Sequence, residues 1–191
     1  MSQSKEDLLL HAALKLFNEF GFHGTATAKI SKEAGVSTGT LYNYFDSKEE
    51  LISKLYIHIK SNMFEYVAVN VINNPEIENT LENIWSGMIK WAIDYPEYYK
   101  FKETFYRSPY VKNISTEEIM EVNKPLIDIV IAAFGTFDYK SKDAALITEF
   151  FTGALNATIN YIGRCDDVDI DDAIHRGFTL LWSGIKDQID N

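Results

Sequence analysis

The chain of 191 residues is poor in the residue types on which several function classes depend. Its one cysteine, Cys165, excludes an intrachain disulfide and any cysteine-rich metal site. That thiol reads as a neutral side chain near a helix end, with redox sensing as the alternative. The four histidines, His11, His23, His58 and His175, are scattered without metal-ligand spacing. There is no glycine-rich phosphate loop, and no serine or cysteine sits in a nucleophile context, so an enzyme reading has no motif behind it and no cofactor is implied. No apolar run is long enough to span a membrane. The polar opening residues 1–7 do not read as a signal peptide, which makes the cytoplasm the expected compartment. Alternating strand patterns, internal repeats and low-complexity tracts are also missing.

What is present is helical periodicity on a globular composition, 46% hydrophobic and 14% aromatic. Leu9, Ala13, Leu16, Phe17 and Phe20 recur at spacings of three and four, predicting an amphipathic helix capped by Ser4 and stopped by Gly21. Thr27 is the predicted N-cap of a short helix, residues 28–34, with Ile30 and Ala34 on one face. Gly35 supplies the positive φ of a sharp turn. Val36 plugs the angle, and Ser37 or Thr38 caps a second short helix. In that helix Leu41 and Phe45 face inward, while Thr38, Gly39, Thr40, Tyr42, Asn43 and Tyr44 fall on or near the outer face. Hydroxyls and a carboxamide in such a place suit phosphate oxygens and base edges, the second helix of a helix-turn-helix being the one that docks in a major groove. Ser47 and Glu50 form a predicted capping box, opening a long helix through Leu51, Ile52, Leu55, Ile59, Met63 and Val67. Lys48 stands at its start, where a phosphate could sit.

The stretch from Phe20-Gly21-Phe22-His23-Gly24-Thr25-Ala26-Thr27 through Ala34-Gly35-Val36-Ser37-Thr38-Gly39-Thr40-Leu41-Tyr42-Asn43-Tyr44-Phe45-Asp46-Ser47-Lys48-Glu49-Glu50-Leu51 closely resembles the DNA-binding domain of the tetracycline-repressor (TetR) family. The resemblance covers roughly the first third of the chain. It implies an all-helical homodimer that represses transcription and releases DNA when a small molecule binds the C-terminal domain. By position it implies DNA contacts from Thr27, Ser37, Thr38, Gly39, Thr40, Tyr42, Asn43, Tyr44 and Lys48. Ser31 stands where the family usually has alanine, and Asn43 where an aromatic is frequent.

The formal net charge of −10 looks wrong for a DNA binder until it is partitioned. Up to Lys60 there are seven lysines and seven acids, so the whole excess lies beyond that point. A neutral head suits specific contact and argues against general DNA coating, which needs many cations to exploit counterion release. The first arginine is Arg107, so the head lacks the bidentate guanine contact. Readout then falls to Lys29, the threonine hydroxyls, Asn43 and thymine methyls, a lean toward A·T-rich half-sites.

Further along, Asn74 with Pro75, Tyr95 with Pro96, Ser115 with Glu118, Ser141 and Asp169 are the predicted helix starts, Pro125 is a predicted kink, and Gly135 a stop. Phe150, Gly153, Ala154, Ala157 and Tyr161, with Phe178, Leu181, Trp182 and Ile185, are the predicted dimer interface, because the small residues permit close helix approach and the apolar excess surpasses one side of a monomer. Aromatics crowd the middle helices, either as core or as a pocket for an apolar or aromatic ligand, with Trp85, Met88, Phe105, Phe134 and Phe151 as candidate lining.

The resulting expectation is an all-α chain. Residues 1–46 form a three-helix DNA-binding domain, and residues 47–191 form a helical ligand-binding and dimerisation domain joined through a connecting helix, residues 47–72. The expected partners are double-stranded palindromic operator DNA, a second copy of the chain and a small-molecule effector, with no membrane and no metal. The alternative is a helix-turn-helix scaffold whose C-terminal domain binds a protein instead of a metabolite.

Overall fold

The three-dimensional structure is a computed structural model that describes residues 4–70, 77–134 and 142–189. The predicted starts at Asn74–Pro75 and Ser141 and the stop at Gly135 lie outside the described residues. Among those described there is no strand. The elements are α1 (Lys5–Gly24), α2 (Thr27–Glu33), α3 (Thr38–Tyr44), α4 (Lys48–Asn70), α5 (Ile77–Asp94), α6 (Pro96–Tyr106), a short 3-10 helix (Pro109–Asn113), α7 (Thr116–Phe134), α8 (Lys142–Ile162) and α9 (Ile170–Ile189). The chain is all-α, and it divides into two compact units. The first comprises Met1–Asn62 and Tyr95–Asn123, the second Met63–Asp94 and Lys124–Asn191.

Helix ends follow the capping chemistry. The Ser4 hydroxyl accepts the Asp7 amide at 3.1 Å, and the Asp7 carboxylate accepts the Ser4 amide at 3.1 Å. Those bonds hold the Asp7 carboxyl below the usual carboxylate range. Gly21, at φ 72 and ψ 171, breaks α1. The helical stretch resumes beyond it, placing Phe22 inward and His23 outward. The buried Thr25 hydroxyl closes the break, lying 2.8 Å from the Gly21 carbonyl and 3.1 Å from that of Leu16. Ser115 and Glu118 make the predicted reciprocal box at the start of α7, and Asp169 accepts the Asp172 amide at 3.1 Å before α9. Pro125 lies inside α7.

In the first unit α1 packs on α2 and α6, and α2 on α3. Phe17, Phe22 and Phe101 interlock edge to face or tilted, with ring centroids 5.3–6.2 Å apart. Asn18 ties α1 to the start of α6, its Nδ2 donating to the Glu97 carbonyl at 2.8 Å and to its carboxylate at 2.7 Å. In the second unit α5, α8 and α9 pack mutually around Trp85, which is fully buried with Ile89, Leu155, Ile174 and Phe178. Its indole Nε1 donates to the Ile174 carbonyl at 2.9 Å, satisfying the one polar atom that this large side chain brings inside.

Candidate nucleic-acid interface

The head is built so that one face of α3 stays outside. Leu41 and Phe45, four residues apart, are buried, and so is Ile30 of α2, which fixes the rotation of both short helices. Gly35 adopts φ 69 and makes the turn, a conformation that costs a side-chain-bearing residue energy. Ser37 is the N-cap of α3. Its Oγ accepts the Thr40 amide at 3.0 Å and lies 2.9 Å from the Thr40 hydroxyl, a cap that contributes about 1 kcal/mol. With this rotation set, Thr38, Gly39, Asn43, Tyr42 and Tyr44 are exposed, Tyr42 to 48%. A Cβ placed on Gly39 would meet nothing nearer than the Ser37 Oγ at 3.8 Å, so the chain itself does not require glycine there.

Three side chains behave differently from the sequence reading. Thr27 is not the cap of α2: that helix starts at Thr27, Ala26 occupies the cap position, and no side chain caps it. The Thr27 hydroxyl lies instead 3.1 Å from the Tyr42 phenol and joins α2 to α3. Periodicity identifies a capping residue type, but it cannot show that a hydroxyl has a better partner 15 residues away. Lys29 is exposed with its ammonium 3.2 Å from the Phe20 ring centroid, a cation–π contact that keeps the charge on the head surface. Glu50 does not reach the Ser47 amide: its carboxylate accepts the Asp46 amide at 2.6 Å, one residue earlier, while the Ser47 hydroxyl accepts the Glu50 amide at 3.0 Å as expected. Lys48 is partly buried at the first position of α4.

Ser31, the departure from the usual alanine, is buried with its hydroxyl donating to the Thr27 carbonyl at 3.0 Å. Its polar atom is thereby satisfied, and its size leaves the packing intact. Lys15 of α1 bonds Glu33 of α2 at 2.6 Å, which raises the lysine's pKa and lowers the glutamate's.

The domain model for bacterial regulatory proteins of the tetR family matches residues 9–55, a span that runs from the core of α1 into α4. Residues 9–55 are a TetR-family DNA-binding domain. Among relatives, the chain is 27% identical over 128 residues to the negative transcriptional regulator IcaR of the icaADBC biofilm operon of Staphylococcus epidermidis, covering 66% of this chain and 67% of IcaR. Other curated relatives are matched over shorter shares of their length. The fold is similar along nearly the whole chain to a TetR-family transcription regulator from Shewanella sp. PV-4, with TM-score 0.78, 24% identity, and 95% and 98% of the two chains covered. It is likewise similar to FadR of Bacillus subtilis in complex with stearoyl-CoA, with TM-score 0.71, 19% identity, and 94% and 98% covered.

The remaining candidate residues divide by burial. On α8, Phe150, Gly153, Ala157 and Tyr161 recur at spacings of three and four and are exposed, Phe150 to 63%. Leu146 extends that stripe, and Leu180 of α9 is 79% exposed. Phe178, Leu181 and Ile185 instead fill the second unit's own core against Trp85, with Ala154 and Trp182 partly buried beside them. Of the candidate ligand residues, Trp85, Met88 and Phe151 share that core, Phe151 meeting Trp85 edge to face at 5.5 Å. Phe105 belongs to the first unit, stacked on Tyr56 at 4.2 Å. The Phe134 side chain lies outside the described residues.

Proposed function

We propose that this regulator is a homodimeric repressor that reads a palindromic operator with two copies of α3 and is released by a small apolar or aromatic ligand. One observation carries the DNA half of this reading: burial of Leu41 and Phe45 leaves a flank of hydroxyl, amide and backbone groups free on α3. Thr38, Gly39 and Asn43 face base edges, and Thr27, Ser37, Thr40, Tyr42, Tyr44, Lys29 and Lys48 hold the flanking phosphates. Residues 1–46 act as the reading head, residues 47–191 as the dimerising and sensing part. The name of IcaR as a negative regulator supports repression.

The exposed stripe of Leu146, Phe150, Gly153, Ala157 and Tyr161 supports pairing of α8 and α9 across a twofold axis, since an apolar face with small residues at its centre lets two helices approach closely. The twofold places the two heads about one helical turn of DNA apart, or a multiple of it. Stearoyl-CoA bound to FadR supports an apolar effector, as does the aromatic content of this chain's second unit. Because α4 contributes residues to both units, as α7 also does, it is a covalent route by which an effector reaches the head. Release requires that the effector bind the DNA-incompetent state more tightly.

Selection of full-length protein against random duplexes should return a palindrome with an A·T-rich half-site. A guanine-rich core or an asymmetric consensus refutes the readout. Ala157→Glu, at an exposed position, should convert a dimer in light scattering to a monomer that has lost operator affinity. Wild-type protein that is monomeric at micromolar concentration refutes the pairing. Stearoyl-CoA is the first probe for release, read as a change in operator affinity.

A further inference from the structure

A second binding site is legible in the first unit, away from the residues assigned to DNA. The break at Gly21 turns the last part of α1 so that Phe22 and His23 face the end of α6 and the 3-10 helix that follows it. Between them lies an open groove with a volume of about 420 Å³, walled by Phe22 and Tyr110 and rimmed by His23, Glu103, Arg107 and Ser108.

Its apolar wall is preformed. The Phe22 and Tyr110 rings meet edge to face at 5.3 Å, and Tyr110 is held from behind by Ser108. The Ser108 hydroxyl donates to the Phe105 carbonyl at 2.7 Å and accepts the Tyr110 amide at 3.3 Å. Its polar rim sets Arg107 and His23 beside one acid, Glu103, in a stretch of chain rich in cations. In a chain of net charge −10, residues 100–112 carry Lys100, Lys102, Arg107 and Lys112 against the single acid Glu103. The Glu103 carboxylate is already held by Lys102 at 3.2 Å and touched by Arg107 at 3.5 Å. The Arg107 side chain is 82% exposed, and that one long contact through Nη2 engages only part of its five-donor fork. A planar guanidinium with donors to spare, beside an imidazole and two aromatic rings, matches a ligand with an anionic oxygen pair at one end and a flat apolar body at the other.

We propose that this groove binds a small aromatic anion, its carboxylate or phosphate on Arg107 and His23 and its ring against Tyr110 and Phe22. The site bridges α1 of the head and α6, and it stands whether or not the second unit takes an effector.

NMR titration of the full-length protein tests it, with benzoate, phenyl phosphate, inorganic phosphate and benzylamine as probes. Benzoate or phenyl phosphate should move the His23, Arg107 and Tyr110 signals with a Kd of about 1 mM, and the tighter of the two names the anion. Benzylamine, with the same ring and the opposite charge, should not move them. Arg107→Gln should weaken the anions at least about tenfold, while Arg176→Gln, an exposed charge change in the second unit, should leave them unchanged. The proposal is overturned if neither aromatic anion shifts these signals up to about 20 mM, if Arg107→Gln binds as well as wild type, or if inorganic phosphate binds as tightly as phenyl phosphate. An unchanged far-ultraviolet spectrum of Arg107→Gln separates lost binding from lost folding.

Discussion

The hydrogen bond between Thr27 and Tyr42 gives a quantitative forecast for operator binding. Two hydroxyls 3.1 Å apart own two protons, and the bond between them uses one. The pair therefore offers a single proton outward, to one phosphate oxygen. Tyr42 is 48% exposed and Thr27 is partly buried, so the phenol is the better placed of the two to donate outward, which it does when the threonine hydroxyl donates to it. Tyr42→Ala would mix effects, because the covered half of the ring contributes about 1 kcal/mol to folding. Tyr42→Phe and Thr27→Val remove only the hydroxyls, and each should change folding stability by less than about 1 kcal/mol. A hydrogen bond to a charged acceptor is worth at least about 1.5 kcal/mol per head, so Tyr42→Phe should weaken a dimer's operator affinity roughly a hundredfold. Thr27→Val leaves the phenol in place and should cost only several-fold. The double variant should match Tyr42→Phe to within about 0.5 kcal/mol, a failure of additivity that marks two groups serving one contact. Fluorescence anisotropy with a selected operator duplex measures all four corners of the cycle. A Tyr42→Phe affinity within about twofold of wild type refutes the phenol's contact, and additive losses refute the shared phosphate.

Further outcomes are expected elsewhere. Lys60 of α4 has its pKa pushed down to about 8, first by burial and then by Lys102. Between that value and the ordinary 10.5 the unfolded chain binds the extra proton, so this group's contribution to stability improves as pH rises through that window. Lys60→Met should therefore raise stability at pH 7, by about 3 kcal/mol at most, with the advantage shrinking toward pH 10; calorimetry showing a gain independent of pH refutes it. Gly177→Ala should destabilise by about 1–2 kcal/mol despite alanine's better helix propensity, because its Cβ would sit 2.5 Å from the Thr158 Oγ1 and 3.1 Å from the Trp85 ring. A raised denaturation midpoint would contradict that packing. With Lys15 bonded to Glu33 and only a few other lysines on each head, the logarithm of operator affinity should fall against that of salt concentration with a slope of about −4 to −5 per dimer. A slope steeper than about −8 would mean phosphate contacts that this head does not carry.

The helix starts were legible because capping is local. Ser4, Ser37, Ser47, Ser115 and Asp169 each bond an amide three residues on, a geometry that a short peptide stretch already encodes. The same holds for Gly35, whose positive φ is a property of one residue in a tight turn. The reciprocal half of a box was less legible: Glu50 took the Asp46 amide, since a long carboxylate reaches either of two adjacent donors.

Assignment of side chains to distant partners was not legible. Gly177 and Gly184 stand one heptad apart on α9, indistinguishable by local pattern, yet a Cβ on Gly177 would strike Thr158 and Trp85, while one on Gly184 would meet nothing within 4 Å. Likewise the apolar excess of α8 and α9 reads in the sequence as one interface, and the fold divides it. Phe178, Leu181 and Ile185 turn to the chain's own core, and Phe150, Gly153, Ala157 and Tyr161 remain outside. Period 3.6 tells which residues share a stripe, not what that stripe covers.

The sequence by itself determined an all-helical chain with a helix-turn-helix head, because amphipathic spacing, caps and a turn glycine act within a few residues of one another. Only the tertiary structure decided that Thr27 answers to Tyr42, that Lys29 rests on Phe20, and that Phe22 and Tyr110 wall a groove beside Arg107. Those pairings join residues 9 to 88 positions apart, and their energies depend on helix rotation and approach that no local pattern sets.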